Sequence, residues 1–460
     1  MNPTPLTPTP QKPRPHILIL GAGFGGMYTA RQLKSLVARG EADITIVNET
    51  NYFLFTPLLH EVATGSLSPQ SVTEPLREIF AGTGVKICQG TVVSINQKKH
   101  AVIVRSDDKT KHMLIYDYLV LATGATTNYY NISGAEDYTY PLKTLADAID
   151  IRRQIIGSFE KAIMCPDPLA RARLLSFVVV GGGPTGVETV SELSDFVNGM
   201  VKRYYHNTSC QPNEAGSCGP EEPTVTLISA DKELLLQFTP KLRVAALERL
   251  QQSGVTIRMN AQVTGVTPNG IELADKTTIP ASTVIWAAGV RPSIPTFEIA
   301  RPTRAEPIAA TSPALVGNRL AVDEYFRMRG DDRIFVLGDA AGYIDTTKPP
   351  AAPDARPITL PMLAQVAVGQ ARIVAANIKL ALRNDGSKLH SFEYHSKGSM
   401  VSVGQWFAMG EIFSMQISGP ITWWIWRTVY LFKFISLKKR VRIVIDWTLN
   451  IFYPRDITMR

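Results

Sequence analysis

Two glycine-rich turns with the same spacing are the feature that most constrains the fold of this chain. The first, Gly21-x-Gly23-x-x-Gly26, follows an apolar strand predicted over His16 to Leu20 and precedes a helix predicted over Met27 to Ala38. A second predicted strand, Asp43 to Val47, completes a βαβ unit. In such a unit the glycines let the backbone approach a pyrophosphate, which the N-terminus of the helix then binds. The sequence therefore predicts a dinucleotide site at this turn.

The same pattern returns near the middle of the chain. Gly181-x-Gly183-x-x-Gly186 lies between a predicted strand, Phe177 to Val180, and a helix predicted to end near Val197. Another predicted strand, Thr224 to Ile228, follows. Two dinucleotides held by one chain imply electron transfer between them, and a flavin nucleotide with a nicotinamide nucleotide is the natural pair.

Three further predicted strands end in small residues, as expected where a crossover approaches a bound nucleotide: Tyr118 to Gly124, Thr283 to Gly289 and Arg333 to Ala341. Their order resembles the glutathione-reductase-like flavoproteins. That resemblance implies an α/β fold with two Rossmann-like dinucleotide-binding domains. The first turn, with Gly338-Asp339, would hold FAD, and the second turn would hold the pyridine nucleotide.

Four segments narrow the resemblance to the type II NADH:quinone oxidoreductases. They are Asn51 to Gly65, Gly183 to Glu188, Leu363 to Gln370, and Lys397-Gly398 ahead of an apolar, basic C-terminus. The similarity runs from about residue 16 to about residue 455. It implies hydride transfer from NADH to FAD and then transfer of two electrons to a membrane quinone, ubiquinone or menaquinone, without proton pumping.

The resemblance also implies site residues. Glu188 would lie beside the nicotinamide, with Gln365 and Lys397 beside the flavin and the quinone headgroup as further catalytic residues; the quinone residues would be Gln365 and Gln370. The FAD site would comprise Gly21, Gly23, Phe24, Gly25, Gly26, Asn48, Glu49, Val92, Ala122, Thr123, Gly124, Gly338, Asp339, Ala364, Gln365 and Lys397. The NADH site would comprise Gly181, Gly183, Pro184, Thr185, Gly186, Glu188, Ser229, Ala288 and Gly289.

Three positions depart from the expected patterns. Asn48, with Glu49 beside it, replaces the ribose-binding acid at the end of the second strand. The family's quinone motif has glutamines four residues apart, whereas here Gly369 is the fourth residue after Gln365, and Gln370 comes next. At about 100° per residue this rotates the second amide by about a quarter turn, so either the helix is distorted or Gln370 does not serve the quinone.

The third departure is Ser229, at the end of the strand Thr224 to Ile228, where the family usually has a glutamate. A serine does not exclude NADPH, and Lys232 could attract its 2′-phosphate. NADH is still the expected substrate. Further on, Pro361 fits the first turn of a helix predicted over Met362 to Leu380.

Cysteine usage separates this chain from related flavoenzymes. Disulfide reductases need a cysteine pair after the first helix, and Thr56 to Ala63 contains none. Cys88 and Cys165 fall in strand-like or surface-like settings, which argues against a sulfide:quinone reductase. Cys210 and Cys218 lie in an apparent insertion, 206–222, where a disulfide or a metal site is a minor alternative. No His and Cys cluster has metal-ligand spacing, so no metal is expected.

Charge and apolar residues are concentrated at the C-terminus. The net charge is +8, but the segment from Arg427 to Arg460 alone has eight basic and two acidic residues, which argues against a nucleic-acid partner. From Gly419 onward the sequence predicts two short aromatic-rich helices broken by a cationic turn at Lys438 to Arg442. Such helices lie at lipid interfaces, with cations toward anionic headgroups. We therefore expect residues 419–460 to anchor the protein to a membrane; a core-packing or dimer-forming helix pair is the alternative.

The expected organisation follows from these features: a disordered proline-rich leader (1–15), an FAD-binding domain in two parts (16–140 and 291–400), an NADH-binding domain (141–290), and an amphipathic C-terminal segment for membrane association (401–460). No apolar run approaches the ~18 residues of a spanning helix. The expected location is the cytoplasmic side of a bacterial cell membrane, as a peripheral protein, and a homodimer is left open.

Two other functions fit the same motifs. One is an NAD(P)H reductase of this fold with a soluble redox-protein acceptor, which quinone would not reoxidise. The other is a nucleotide-sensing flavoprotein like apoptosis-inducing factor, which would turn over slowly with every acceptor and change its oligomeric state with nucleotide.

Overall fold

The structure is a computed structural model that describes residues 13–205, 222–298, 313–345, 347, 358–396, 398–412 and 415–459. Residues 1–12 of the predicted leader and residues 206–221 of the predicted insertion lie outside the described residues. Lys397, Cys210 and Cys218 also lie outside the described residues.

The strands of the nucleotide-binding motifs form where the sequence predicts them, and short strands connect them. In chain order, the first are β1 His16–Leu20, β2 Asp43–Asn48, β3 Tyr52–Leu54, β4 Thr73–Pro75, β5 Lys86–Gln89, β6 Thr91–Asn96, β7 Ala101–Arg105, β8 Lys111–Ile115 and β9 Tyr118–Leu121. Next are β10 Ala125–Thr127, β11 Tyr140–Pro141, β12 Ser176–Val180, β13 Thr224–Ile228, β14 Val255–Arg258, β15 Val263–Thr267, β16 Gly270–Leu273, β17 Thr278–Pro280, β18 Thr283–Trp286 and β19 Val290–Pro292. The last are β20 Thr296–Phe297, β21 Leu315–Val316, β22 Arg319–Ala321, β23 Arg327–Met328, β24 Asp331–Val336, β25 Ala341–Gly342, β26 Ser399–Ser402, β27 Ala408–Ile412 and β28 Met415–Gly419.

The helices follow the predicted order as well. They are α1 Phe24–Ala38, α2 Leu59–Ala63, α3 Leu76–Ile79, α4 Ala135–Tyr138, α5 Leu145–Met164, α6 Pro168–Leu174, α7 Pro184–Met200, α8 Pro240–Gln252, α9 Ala364–Leu382, α10 Pro420–Lys433 and α11 Leu437–Phe452.

The chain divides into two compact units. The first comprises Met1–Phe53, Pro75–Ala125 and Pro292–Tyr394. Its main sheet has the strand order β23-β24-β9-β1-β2-β5, parallel except for the edge strand β23. Ile17 to Leu20 of β1 are fully buried, as expected for a central parallel strand covered on both faces. Helices α1 and α9 pack against each other in this unit.

The second unit comprises Leu54–Glu74, Thr126–Arg291 and His395–Arg460. Its main sheet is parallel, with the order β11-β18-β12-β13-β14. Helix α7 packs on β12 and β13, and α2 packs on α5 and α7. A second sheet, β26-β27-β28, is antiparallel and contacts α10. The C-terminal helices therefore belong to the same compact unit as the second glycine turn.

Several predicted boundaries were wrong. Helix α1 begins at Phe24 and not at Met27, directly after the extended Gly23. Helix α9 begins at Ala364, because Leu363 is extended (φ −123°, ψ 142°) and its N–H donates to the Pro361 carbonyl (2.9 Å), which turns the chain before the helix. The C-terminal helices break at Phe434 to Ser436 and not at the cationic run, which lies in the first turns of α11. The Glu74 carboxylate fixes this break by accepting from the N–H groups of Ile435 (3.0 Å) and Ser436 (2.8 Å).

Candidate functional site

The first glycine turn has the shape of a phosphate cradle. Gly21 has a positive φ of 93°, and a Cβ there would collide with the Ala122 carbonyl; a Cβ at Gly26 would collide with the Gly21 carbonyl. At Gly23, by contrast, a Cβ would meet nothing within 4 Å among the described atoms. The turn is thus packed on its inner side and open on its outer side, where α1 begins. An open glycine at a helix N-terminus fits a pyrophosphate.

Several of the other residues predicted to bind FAD lie at the same edge of the sheet. Because β24, β9, β1 and β2 are neighbouring parallel strands, their carboxyl ends bring together Gly338, Ala122 to Gly124, Gly21 and Asn48. Asn48 Oδ1 accepts from the N–H of Ala22 (2.8 Å), and the Asn48 carbonyl accepts from Gly90 (2.9 Å), two residues before Val92. Asn48 therefore braces the glycine turn itself, while Glu49 is exposed.

The two glutamines of α9 have different partners. Gln370 is 1% exposed, and its Oε1 accepts from the N–H of Gly338 (2.7 Å). Gln365 donates to the hydroxyl of Tyr394 (2.6 Å). At Gly369 a Cβ would lie 3.1 Å from the Phe392 ring, so a larger residue there would crowd that ring. Gln370 thus holds the turn that carries Gly338 and Asp339, and Gln365 points elsewhere, consistent with the predicted rotation.

The second glycine turn repeats the geometry of the first. A Cβ at Gly181 would lie 2.5 Å from the Ala287 carbonyl oxygen, and one at Gly186 would collide with the Gly181 carbonyl. Gly183 again faces open space among the described atoms. Pro184 is the first residue of α7, a position where its missing N–H has no helical acceptor to lose. Ala288 and Gly289 follow β18 beside this turn, because β18 is the neighbour of β12.

At the end of β13, Ser229 is buried beside the glycine turn. A Cβ at Gly182 would lie 2.5 Å from Ser229 Oγ, which accepts from the N–H of Asp231 (3.2 Å). Lys232 is exposed on the same loop. The neighbouring Glu233 is paired with Arg243. This region therefore has a buried, hydrogen-bonded hydroxyl and an exposed cation where many NADH sites have a carboxylate.

Glu188 lies one turn into α7 with its carboxyl group buried. Its Oε1 accepts from the N–H of Ser402 (3.3 Å), and its Oε2 lies 3.9 Å from Nδ1 of His60. Burial raises the pKa of Glu188 to about 8; the bond from Ser402 opposes this rise, and the nearby Glu61 and Glu192 add to it. Burial also lowers the pKa of His60 to about 4. At neutral pH the pair is therefore a protonated carboxyl beside a neutral imidazole.

Further buried charges surround this pair, and sequence reasoning missed them. Glu192, one helical turn after Glu188, accepts from Arg455 (2.7 Å) and from Ser66 (3.1 Å). Glu61 accepts from the indole N–H of Trp447 (2.7 Å). The sequence contains part of this information, because Glu188 and Glu192 are four residues apart and therefore share one face of α7. Their partners come from distant parts of the chain, which no local pattern reveals.

The described residues contain no group of three or more His, Cys, Asp or Glu side chains arranged to hold a metal ion. Over the same residues, no helix has the length and apolar character needed to cross a membrane. Cys88, in β5, and Cys165, at the end of α5, are free thiols.

Comparisons with known proteins agree with this geometry. The family model described as pyridine nucleotide-disulphide oxidoreductase matches residues 15–371, and the NDH2 C-terminal domain matches residues 396–456. The chain is 30% identical over 455 residues to the type II NADH:quinone oxidoreductase Ndh of Mycobacterium tuberculosis, covering 97% of this chain and 90% of that protein.

Two further proteins span nearly the whole chain. The internal alternative NAD(P)H-ubiquinone oxidoreductase A1 of Arabidopsis thaliana, a mitochondrial protein, is 29% identical over 490 residues, covering 98% of this chain and 87% of its own. The structure of NDH2 from Plasmodium falciparum in complex with NADH superposes with a TM-score of 0.83 at 23% identity, covering 97% of this chain and all of that chain. The latter supports the α/β dinucleotide-binding fold.

Proposed function

The chain belongs to the pyridine nucleotide-disulphide oxidoreductases, in the branch of the type II NADH:quinone oxidoreductases, and from that membership we propose how its residues oxidise NADH and reduce a membrane quinone. The observation that carries the proposal is the pair of matching glycine turns, each with a packed inner side and an open outer glycine at the start of a helix. Each turn fits one dinucleotide, and two dinucleotides suit electron transfer between them.

The first unit fits FAD. Gly21 to Gly26 would hold its pyrophosphate, with Asn48 bracing that turn through its bond from Ala22. The turn at Gly338 and Asp339, which Gln370 holds in place, would bind the ribityl region. When bound, FAD accepts a hydride and releases electrons to a second acceptor. The chain's own residues would position the two nucleotides and shield them from water. We propose that residues 16–140 and 291–400 bind FAD and that residues 141–290 bind NADH.

The reaction takes up one proton per turnover. Oxidation of NADH supplies a hydride, that is one proton and two electrons, and reduction of a quinone to a quinol consumes two electrons and two protons. The second proton must therefore come from solvent. We expect Glu188 to lie beside the nicotinamide. It is also suited to deliver the second proton, because its carboxyl is protonated at neutral pH. A buried acid whose pKa is near the working pH is suited to deliver a proton.

The C-terminal helices support peripheral attachment to a membrane. On α11, exposed apolar residues recur at helical spacing at Leu437, Val441, Val444, Ile445 and Phe452. On α10 a similar exposed face includes Phe432. Lys438, Lys439 and Arg442 border the α11 face. An apolar face bordered by cations suits an anionic lipid interface. We propose that this surface, the α10–α11 apolar face, brings the enzyme to its quinone.

Anaerobic stopped-flow spectroscopy tests the function. We expect NADH to bleach the flavin of the purified holoenzyme quickly, and a short-chain quinone to restore its absorbance quickly. Bleaching without recovery would refute quinone reduction and favour a soluble redox-protein acceptor. Slow bleaching with NADH and slow recovery with every acceptor would instead favour a nucleotide-sensing role.

A further inference from the structure

The C-terminus of the chain supplies the counter-ion for a buried carboxylate of helix α7. Arg455 follows α11, and its side chain is only 10% exposed. Nη2 of Arg455 donates to Glu192 Oε2 (2.7 Å), while Nη1 donates to the carbonyls of Thr64 (3.3 Å) and Glu192 (3.3 Å). This charged hydrogen bond lies almost entirely out of water, where such a bond is strong and its loss leaves a buried charge without its partner.

Glu192 lies one helical turn from Glu188, so its charge acts on the Glu188 carboxyl. The pKa of Glu192 is lowered: burial opposes this, but the attraction of Arg455 and further nearby cations outweighs it. Glu192 is thus a carboxylate at neutral pH. Burial is the largest cause of the raised pKa of Glu188. A like charge held close by also favours the neutral form of its neighbour, and Glu192 adds to the raised pKa in this way.

Besides Arg455, titratable and polar groups from four elements lie around Glu188 and Glu192. Helix α2 presents His60 and Glu61; α7 presents Glu192 and, one turn further, Asp195, whose pKa burial raises to about 6. Strand β26 presents the backbone N–H of Ser402, and α10 presents Tyr430 and Arg427. Arg427 lies between the rings of Trp423 (3.8 Å to the ring centroid) and Trp447 (4.5 Å).

His60 lies beside Glu188 at the centre of this cluster. Its Nδ1 faces the Glu188 carboxyl, and its Nε2 is buried and finds no hydrogen-bond partner in the described part of the chain. An unsatisfied buried imidazole nitrogen is costly unless something else bonds it. At the centre of the cluster, the His60 imidazole therefore has one nitrogen beside the Glu188 carboxyl and one nitrogen without a partner among the described residues.

We propose that Arg455 is a positioning residue of the proton-delivering site: by holding Glu192 as a carboxylate, it keeps the transferable proton of the cluster on Glu188. The inference rests on the proposed function, since it assigns Glu188 a proton that quinone reduction consumes. The proposal thus links Arg455, which follows the end of α11, to quinone reduction, the second half of the reaction.

The proposal predicts the direction of a pH shift. Without the Arg455 charge, burial raises the pKa of Glu192 and Glu192 becomes neutral. The repulsion that helps Glu188 keep its proton is then lost, and the pKa of Glu188 falls. Glu188 consequently loses its proton at a lower pH, and the alkaline limb of flavin reoxidation by quinone moves to lower pH by roughly one unit.

The experiment compares the pH profile of flavin reoxidation in detergent-solubilised holoenzyme with a short-chain quinone as the acceptor. Arg455→Gln removes the charge, and Arg455→Lys retains it. Glu192→Gln removes the carboxylate charge directly and serves if Arg455→Gln does not fold. Arg440→Gln is the matched control, because Arg440 lies in the same segment and bonds only carbonyls of the α10 end in the contacts described, those of Phe432 and Phe434.

We expect the alkaline limb to shift by about one unit in Arg455→Gln and in Glu192→Gln, and to remain at the wild-type position in Arg455→Lys and Arg440→Gln. A uniform loss of rate with an unmoved limb in both charge-removing variants would overturn the proposal, and so would an equal shift in Arg440→Gln. A wild-type enzyme that quinone does not reoxidise would instead refute the proposed function, which keeps the two failures distinct.

Discussion

At the scale of single residues, we expect the end of β13 to determine which nicotinamide nucleotide this chain accepts. A carboxylate in this position binds the ribose hydroxyls of NADH and repels the 2′-phosphate of NADPH. Ser229 exerts no such repulsion, and its hydroxyl accepts a hydrogen bond from the loop that carries Lys232. The nearby acid Glu233 is paired with Arg243. The loop therefore presents an exposed cation to the region where a 2′-phosphate would lie, so we expect NADPH to be accepted as well as NADH.

Replacing Lys232 tests this expectation. In Lys232→Gln the KM for NADPH in flavin reduction should rise about fivefold, since an exposed charge contact is worth up to about 1 kcal/mol, and the KM for NADH should change less than twofold. Lys241→Gln is the matched control, because Lys241 is an exposed lysine in the first turn of α8. Equal changes for both nucleotides in Lys232→Gln would show that Lys232 does not recognise the phosphate.

Gln370 illustrates how far a residue-level prediction can reach. Counting residues along a helix predicts its rotation away from Gln365, and the two side chains do have separate partners. The identity of those partners was beyond prediction. The N–H of Gly338 comes from a turn 32 residues away, and its position depends on how α9 packs in the first unit. Helical periodicity predicts the direction of a side chain, whereas its hydrogen-bond partner depends on the tertiary fold.

At the scale of elements, helices α10 and α11 have two apolar faces with different surroundings. The inner face contains buried Trp423, Trp426, Ile443 and Trp447, and Asp446 accepts from the hydroxyl of Ser71 (2.6 Å). The outer face is the α10–α11 apolar face. Core packing therefore applies to the inner face, whereas lipid binding is our proposal for the outer face. Deleting the segment would remove both faces, so only substitutions on the outer face isolate lipid binding.

The double substitution Leu437→Ser with Phe452→Ser is therefore the sharper test of membrane binding. These side chains are 72% and 74% exposed, so the fold should keep its melting temperature. Each buried CH₂ contributes about 0.8 kcal/mol to lipid binding, and the loss of two large side chains should weaken co-sedimentation with anionic liposomes by more than tenfold.

Leu169→Ser is the matched control for this test, because Leu169 is 81% exposed on α6 and lies outside the C-terminal segment. It should leave liposome binding unchanged. Wild-type binding by the double variant would refute the assignment of the α10–α11 apolar face to lipid, and it would leave a protein partner as the occupant of that face.

At the scale of the whole molecule, the sequence predicted the repeated framework more completely than the chemistry inside it. Both βαβ units could be predicted because each consists of a buried strand, a glycine turn and a helix within a short stretch, and the turns have the geometry that the glycines require. The buried charges could not be predicted in this way, because Glu192 and Arg455 are 263 residues apart and meet only when the second unit has folded. Such long-range pairing leaves no periodic trace.

Those buried charges should also make the stability of the protein depend on pH. The pKa of Glu188 is raised from an ordinary 4.5 to about 8. Its contribution to folding is therefore complete below pH 4.5 and is lost as pH rises through about 8, because the folded state must keep a proton that the unfolded chain releases. Each pH unit in this window costs up to about 1.4 kcal/mol. In Glu188→Gln the carboxyl group is replaced by an amide, which does not titrate, so the stability of this variant does not fall with pH for this reason.

We therefore expect the melting temperature of Glu188→Gln, relative to that of the wild-type holoenzyme, to rise steadily between pH 5 and pH 8. Glu192→Gln should instead lower the melting temperature by nearly the same amount throughout this range, because its pH-dependent window lies below pH 4.5. Because the pKa of Glu192 is lowered, its carboxylate stabilises the fold above the ordinary pKa, and the variant loses that contribution at neutral pH. Glu248→Gln, an exposed replacement on α8, should give a difference that does not vary with pH. A flat difference for Glu188→Gln as well would mean that Glu188 is ionised in the folded protein, and the proton assigned to it would have to reside elsewhere.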